Sequence, residues 1–542
     1  MSDYFLGLDS STQSLTGIII DFGLGKIIRN YNINFDKDLP HFNSQNGIII
    51  SDDDKVVHSY PLMWVEALEK LFEQLVRDDI QIEEIKAISG SGQQHGTVYL
   101  NQTFEEILQN LNPNESLVKQ LEGIFSRATS PIWMDSSTFK QCQEIRESLG
   151  GMKATINITG SNTFERFSGP QIRKFFQEKP DAYEKTLIIH LVSSFMASIL
   201  LGKNAPIDHG DGAGMNLMNI KTKQWDKRAL EATAPNLINK LPPLVNSYDV
   251  IGKISPFFVK KYGFSADTQL ISWSGDNPNS LIGVGLIQKG KVALSLGTSD
   301  TYFGYIKNLS LDLNGEGHVF GAPTGDYMSL ICYKNGSFAR ENIKNSFNLD
   351  WNQFSEVLKK TPPGNHGKII LPYFQPEIVP LVLKSGIHRF GVEENDLHGN
   401  VRAIIESQFL SMRLHSEWIG ESPKEIYATG GGSINRDILQ VAADIFNSKI
   451  RQFDVPDSAA LGAALRAAKS YYDLKASKVS WQDITETFLD IQKSTLIEPN
   501  RKYKALYDDM VNLYRACEDH ILREGENPES IQKQFIEKYF SS

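Results

Sequence analysis

One short pattern occurs twice, once in each half of the chain, and it constrains the fold more than any other feature. Tyr4–Leu8 is an apolar run of strand length, Asp9-Ser-Ser-Thr-Gln-Ser14 is a cluster of small polar residues, and Leu15–Ile20 is a second run rich in β-branched side chains. Lys291–Leu296, Gly297-Thr-Ser-Asp300 and Thr301–Tyr305 repeat the arrangement. A strand, a tight polar turn and a returning strand in both halves point to an internal duplication. With 542 residues the chain is longer than one hydrophobic core usually supports, so each copy is expected to open its own domain. The boundary is set near Ile287–Gly290, giving domains over residues 1–287 and 288–542.

Between and after the repeats, strands alternate with helices, the pattern of an α/β protein. Pro61–Arg77 carries Trp64, Leu68, Leu71, Phe72 and Leu75 on one face and reads as an amphipathic helix. Ile85–Ile88 is a buried strand that runs into Ser89-Gly-Ser-Gly-Gln-Gln-His95-Gly96. Ligands of open α/β sheets bind at such glycine-punctuated loops, at the carboxyl ends of strands. In the second half, a long helix is expected over Val401–Trp418, a strand over Glu425–Ala428 and a helix over Arg436–Phe446, with Thr429-Gly-Gly-Gly-Ser433 before it. Asp457–Tyr472 is a helix crowded with Ala and Gly, suited to close packing. From Ser480 onward amphipathic helices and a polar tail are expected.

Charge and cysteine usage exclude several function classes. Lys plus Arg number 55 against 65 Asp plus Glu, a net charge of −10 with no basic block, which argues against a nucleic-acid or anionic-membrane partner. A small anion remains open, since backbone amides bind phosphate without net positive charge. The most apolar stretch, Ile188–Leu201, is interrupted by His190, Ser193, Ser194 and Ser198 and is too short to span a bilayer, so a buried core helix is expected there. Three cysteines at wide spacings support neither a disulfide framework nor a zinc site. Together with an amino terminus lacking a signal-peptide pattern, they predict a soluble, cytoplasmic protein.

Several residue clusters are able to carry chemistry. Gly430-Gly-Gly432 after a strand, and the turns Ser10-Ser-Thr12 and Gly297-Thr-Ser299, can present successive amides to phosphate oxygens. Each alone is also ordinary turn composition. Three of them in a duplicated α/β chain favour a nucleotide held between two domains. Asp276 lies in Trp273-Ser-Gly-Asp-Asn-Pro278, after an expected strand Gln269–Ser272, where a loop would present it. The same residues also make an Asx turn before Pro278. Asp9 beside a phosphate turn suits a hydrated magnesium ion, which uses few carboxylates, and equally suits a turn start. His95 is either a partner for sugar hydroxyls or a satisfied core histidine. Arg166 is either a ligand contact or a surface partner of Glu165, and Asp52–Lys55 is a solvated loop.

Taken together, these segments resemble the FGGY family of carbohydrate kinases, and within it the xylulokinases of eukaryotic type. The matching stretches are Leu8–Gln13, Ser89–Gly96, Pro131–Ser137, Ile158–Gly160 through Glu165–Phe167, Ser274–Asn277, Leu294–Asp300 and Ala428–Ser433, in order over residues 4–470. The resemblance implies two ribonuclease-H-like domains of the actin and sugar-kinase type with a cleft between them. It implies ATP and Mg2+ as cofactors, and D-xylulose as the substrate phosphorylated to D-xylulose 5-phosphate. By the family's pattern Asp276 is the catalytic base, and His95, Arg166, Asp276 and Asn277 contact the sugar. Trp351, Gly431, Gly432 and Asn435 match the adenosine region. Asp9 and Thr12 match the first phosphate segment, with Asp9 toward the metal through water, and Gly297 and Thr298 match the second. The sugar and the first phosphate turn fall to 1–287, the nucleotide to 288–542. Many relatives carry Gly and Lys where this chain has Ser11 and Thr16, which implies a first phosphate contact that is either less basic or arranged differently. Gln93-Gln-His95 and Trp133-Met-Asp135 favour xylulose; the alternatives are a ribulose, glycerol or deoxy-sugar kinase of the same family, or a non-catalytic actin-like module gated by ATP.

Overall fold

The computed structural model describes residues 3–452, 455–477, 479–489 and 494–541. The first repeat folds as a hairpin of β1 (Tyr4–Ser10) and β2 (Ser14–Asp21), continued by β3 (Lys26–Asn34). Beyond β1 lie β4 (Ile85–Gly92), β5 (Val250–Lys253) and β6 (Gln269–Ile271), giving the sheet order β5–β6–β4–β1–β2–β3. A two-residue strand β7 (Ser274–Gly275) also runs parallel to β4. The second sheet holds β8 (Lys291–Leu296), β9 (Asp300–Ile306), β10 (His318–Gly321), β11 (Tyr327–Tyr333), β12 (Glu425–Thr429), β13 (Lys449–Gln452) and β14 (Thr495–Ile497). Their order is β10–β11–β9–β8–β12–β13–β14.

The two sheets share one pairing pattern, although the edge strand β5 precedes its neighbour β6 in the chain whereas β14 follows β13. In the first, β3, β2 and β1 are antiparallel neighbours, β1, β4 and β6 run parallel, and β5 closes the edge antiparallel. In the second, β11, β9 and β8, then β12 and β13, then β14 repeat that pattern strand for strand. The duplication visible in the two hairpins therefore extends through five strands of each sheet, with β10 as an addition and the edge strands β5 and β14 reached by different connections. This is the expected pair of ribonuclease-H-like units.

Each sheet is buried on both faces. Pro61–Arg77 begins with proline in its first turn, where no amide partner is lost, and packs Trp64, Leu68 and Phe72 into a core with Leu6 and Leu8. In the second unit Leu294 and Leu296 share a core with Ile404, Phe409, Ile438, Tyr507 and Tyr514. The helix Leu397–His415 supplies Ile404 and Phe409, and Lys504–Leu522 supplies the two tyrosines. The Ala- and Gly-rich segment forms a helix, Ser458–Leu474, and packs as its composition predicts. A Cβ on Gly7 would lie 2.0 Å from Ala460 O, and one on Gly462 1.9 Å from Asn279 O, so backbone meets backbone there. Buried Arg466 of this helix donates to Asn279 Oδ1 (2.7 Å) and to Ser272 O (2.6 Å). A helix from the second half thereby braces the Asp276–Gly283 helix of the first.

Two local expectations are corrected. Ile188–Leu201 is not one helix: Ile188–Leu191 pairs antiparallel with Thr97–Leu100, and only Val192–Leu201 is helical. Ser194 Oγ accepts the Leu191 amide (3.1 Å) and so caps the helix where the strand ends. The polar tail is the helix Glu529–Phe540, and β14 adds an edge strand to the second sheet. Among the described residues no helix is long and apolar enough to cross a membrane.

Candidate functional site

The Gly92–Gly96 loop leaves the carboxyl end of β4 and organises one half of the site. His95 adopts φ +73°, a left-handed conformation uncommon for a side-chain-bearing residue. The ring is buried, and its Nδ1 lies 2.9 Å from Gly214 O, so Nδ1 carries the proton and donates. Burial, with Arg166 nearby, pushes the imidazole down to about 3. His95 is therefore neutral at physiological pH, with Nε2 left as an acceptor for a hydroxyl. A Cβ at residue 214 would meet this ring at 2.8 Å, so glycine is needed there. Arg166 sits with its guanidinium carbon 5.5 Å above the Phe164 ring. Its Nη2 is 3.4 Å from His318 Nε2, and its buried Nε has no protein acceptor.

The carboxylates gather beside the same loop. Asp276 is not in a loop, as expected from its motif, but is the first residue of the helix Asp276–Gly283. The reason lies in β7: Ser274 and Gly275 pair with Ser91 and Gly92, ending the strand one residue earlier, and Pro278 fits the first helical turn. A Cβ on Gly275 would meet Gln94 Cγ at 2.3 Å, so glycine permits this approach. Asp276 Oδ1 accepts from the Asn277 amide (2.8 Å) and from Asn277 Nδ2 (3.0 Å), while Nδ2 also reaches Gln94 Oε1 (2.8 Å). Burial outweighs these bonds and pushes Asp276 up to about 6. Asp9 faces Ser91 in register and accepts from its hydroxyl. Burial, joined by the charges of Asp276 and Asp457, pushes Asp9 up to about 7. Thr12, at the first turn, accepts from the Trp133 indole N–H (2.8 Å) and lies 3.5 Å from Gln93 Oε1.

The second half of the site is a cavity of about 900 Å³. Gly297, Thr298, Trp351, Gly431, Gly432 and Asn435 all line it, whereas Asp9 and Thr12 do not. Asn435 caps the helix Arg436–Phe446 by accepting the amides of Asp437 (3.0 Å) and Ile438 (3.2 Å), and donates to Ser355 Oγ (2.7 Å). Gly430 has φ +82°, and a Cβ on Gly432 would lie 2.9 Å from Leu296 Cβ. Gly431 by contrast faces open space. Buried Arg340 makes a bidentate pair with Asp300 (2.7 and 2.9 Å), which fixes the base of the Gly297–Ser299 turn.

Family comparison decides what this two-sided arrangement is. Residues 128–283 match the FGGY family of carbohydrate kinases, N-terminal domain, and residues 292–471 match its C-terminal domain. The chain belongs to the FGGY family of carbohydrate kinases. Xylulose kinase 2 of Arabidopsis thaliana is 43% identical over 524 residues, covering 92% of this chain and 93% of that one. Xylulose kinase of Rattus norvegicus is 39% identical, covering 96% and 98%. The crystal structure of xylulose kinase from Rhodospirillum rubrum shares the fold, with a TM-score of 0.80 at 17% identity, over 96% of this chain and 99% of that one.

On this FGGY scaffold two buried groups stand close to the assembled residues without having been singled out by motif. Asp211 follows the cap Asp208, and Ser193 Oγ donates to its Oδ2. Its Oδ1 has no protein partner, and burial, with the charges of Asp208 and Asp276, holds the carboxyl well above its usual range. The glycines of Gly210-Asp-Gly-Ala-Gly214 were the available signal. His318 is the other, and nothing in its strand marks it.

Proposed function

We propose that this chain transfers the γ-phosphoryl group of ATP to the terminal hydroxyl of D-xylulose, giving D-xylulose 5-phosphate and ADP. Relatives named xylulose kinase, 39–43% identical over nearly the whole chain, support the substrate. The observation that carries the chemistry is the Asp276 carboxylate, raised to about 6 yet mostly ionised at neutral pH, with Oδ1 engaged by Asn277. Its other oxygen is the base: it takes the hydroxyl proton as the sugar oxygen bonds to the γ-phosphorus, and the bond from that phosphorus to the β–γ bridging oxygen breaks to release ADP. His95 Nε2, Arg166 and Asn277 orient the sugar hydroxyls, on residues 1–287. On residues 288–542, Trp351 offers an aromatic face to the adenine, and the Gly297–Thr298 and Gly431–Gly432 backbones approach the phosphates.

Asp9 and Asp276 raise no metal cage: among the described residues no group of three His, Cys, Asp or Glu is arranged to hold an ion. Two mutually repelling carboxylates nonetheless fit a hydrated Mg2+ arriving with ATP, held by Asp9 through water. Such an ion neutralises phosphate oxygens. The three free thiols, Cys142, Cys332 and Cys517, suit the reducing cytoplasm, where we assign the enzyme.

The test is ADP release with ATP and each of D-xylulose, D-ribulose, L-ribulose and glycerol. D-xylulose should stimulate most. Equal or greater stimulation by another acceptor overturns the sugar assignment, and no stimulation by any of them favours the non-catalytic ATP-gated module.

A further inference from the structure

We infer that His318 belongs to the sugar site, although it comes from the second half of the chain: it fixes the Arg166 guanidinium and offers its own Nδ1–H to the ligand. The inference rests on the sugar-kinase reading above. His318 opens β10, the strand added to the duplicated sheet, and is 1% exposed. Backbone contacts to the first half hold this strand at two points. The Val319 amide donates to Gly160 O (3.2 Å), and Gly321 lies so near His209 that a Cβ there would be 2.7 Å from its carbonyl oxygen. The imidazole is caged by Phe164 (ring centroids 4.8 Å apart), Phe167 (5.3 Å) and Phe320 (5.8 Å), so its orientation is set by packing.

Within that cage the hydrogen-bond inventory is incomplete. Arg166 has only donors, so His318 Nε2, 3.4 Å from Nη2, must be the accepting nitrogen and Nδ1 must carry the proton. Burial, with the positive charge of Arg166 and the nearby His95, holds the ring neutral, consistent with that tautomer. Two buried donors then lack a protein acceptor: His318 Nδ1 and Arg166 Nε. Buried donors are normally satisfied, and two unmet ones beside His95 call for a ligand rich in oxygen acceptors. A polyhydroxylated sugar supplies them. His318 is thus a positioning residue that makes sugar recognition depend on both halves.

His318→Phe keeps a ring in the aromatic cage and removes both nitrogens; His318→Gln keeps an acceptor and a donor. With the full chain, the Phe variant should raise KM for D-xylulose at least about tenfold, the loss expected for a hydrogen bond to a charged group. KM for ATP should stay within about twofold, and the Gln variant should recover part of the sugar affinity. In an Arg166→Ala background the His318→Phe effect should shrink, since the two act together. An unchanged sugar KM in both variants, a parallel rise in both KM values, or full additivity with Arg166→Ala would each overturn the inference. Should the Phe variant not fold, the Gln variant decides through its sugar KM alone. Wild-type activity with D-xylulose is the control: its absence sinks the sugar-kinase reading, whereas its presence with an unaffected variant sinks only the role of His318.

Discussion

Replacing Asp276 by Asn tests the base with little disturbance of its surroundings. Asp276 Oδ1 accepts from the Asn277 amide and side chain, and the amide oxygen of an introduced Asn can keep both bonds. What disappears is the ability to take a proton at the other oxygen. General-base assistance is worth about 10²–10⁴ in rate, so kcat should fall at least about a hundredfold. The stability effect has a defined sign. A carboxyl raised from 3.8 to about 6 in the folded state favours folding below the ordinary carboxylate range, and that contribution is lost as pH rises through about 6. At neutral pH the wild type therefore carries a poorly solvated charge that Asn lacks. The variant should melt at the same or a higher temperature, and its advantage over wild type should grow between about pH 4 and 7. In the wild type kcat/KM should rise with pH through an acid limb near 6, shared with Asp9 because their charges interact, and the variant's residual activity should lose the Asp276 part of it. Steady-state kinetics, nucleotide affinity and melting curves on one preparation suffice. A variant with more than about a tenth of wild-type kcat, below the smallest general-base effect, removes Asp276 from the catalytic role.

Two further perturbations have equally definite outcomes. Trp351 is 40% exposed at the cavity mouth, and base stacking on an aromatic ring is worth about 1–3 kcal/mol, so Trp351→Ala should raise KM for ATP about fivefold or more and leave KM for sugar unchanged; an unaltered ATP KM would take the adenine elsewhere. Dithiothreitol should alter neither activity nor melting temperature, because all three cysteines are free and burial holds Cys142 and Cys517 up to about 12; a marked loss on reduction would reveal a functional disulfide.

What the sequence makes legible here is local and periodic. The hairpins over Tyr4–Asp21 and Lys291–Ile306 declare themselves through runs of strand formers around small polar turns, and Pro61–Arg77 through its apolar stripe and leading proline. The residues from the hydroxyl- and glycine-rich segments sort into two groups that the fold keeps apart, one at the Gly92–Gly96 loop and one at the cavity. Illegible parts depend on distant partners. Ile188–Leu191 is a strand only because Thr97–Leu100 lies beside it, and an apolar run has no period to reveal that. Asp276 heads a helix because β7 pairs with β4, a contact some 180 residues away in sequence. His318 enters the site through β10, which the duplicated pattern does not contain, so no comparison of one half with the other could expose it.

The charge around the cavity bears on how an acidic chain would handle the polyphosphate proposed for it. Its two lining cations are already committed. Arg340 is buried in its pair with Asp300, and Lys359 lies 2.7 Å from Glu356 and 3.6 Å from Asp437. Glu341, Glu356 and Asp437 line the same cavity, so side chains there bring no surplus of positive charge. At the first turn Ser11 brings no charge, and in the strand after it Thr16 accepts from Asn32 and offers no cation. On the proposed reading, recognition of phosphate falls to backbone amides at the Gly297–Thr298 and Gly431–Gly432 turns and to a divalent ion arriving with ATP. Fixed amides suit phosphoryl transfer, in which charge spreads over oxygens without changing sign, since dipoles already aimed at those oxygens need no reorganisation as the group moves.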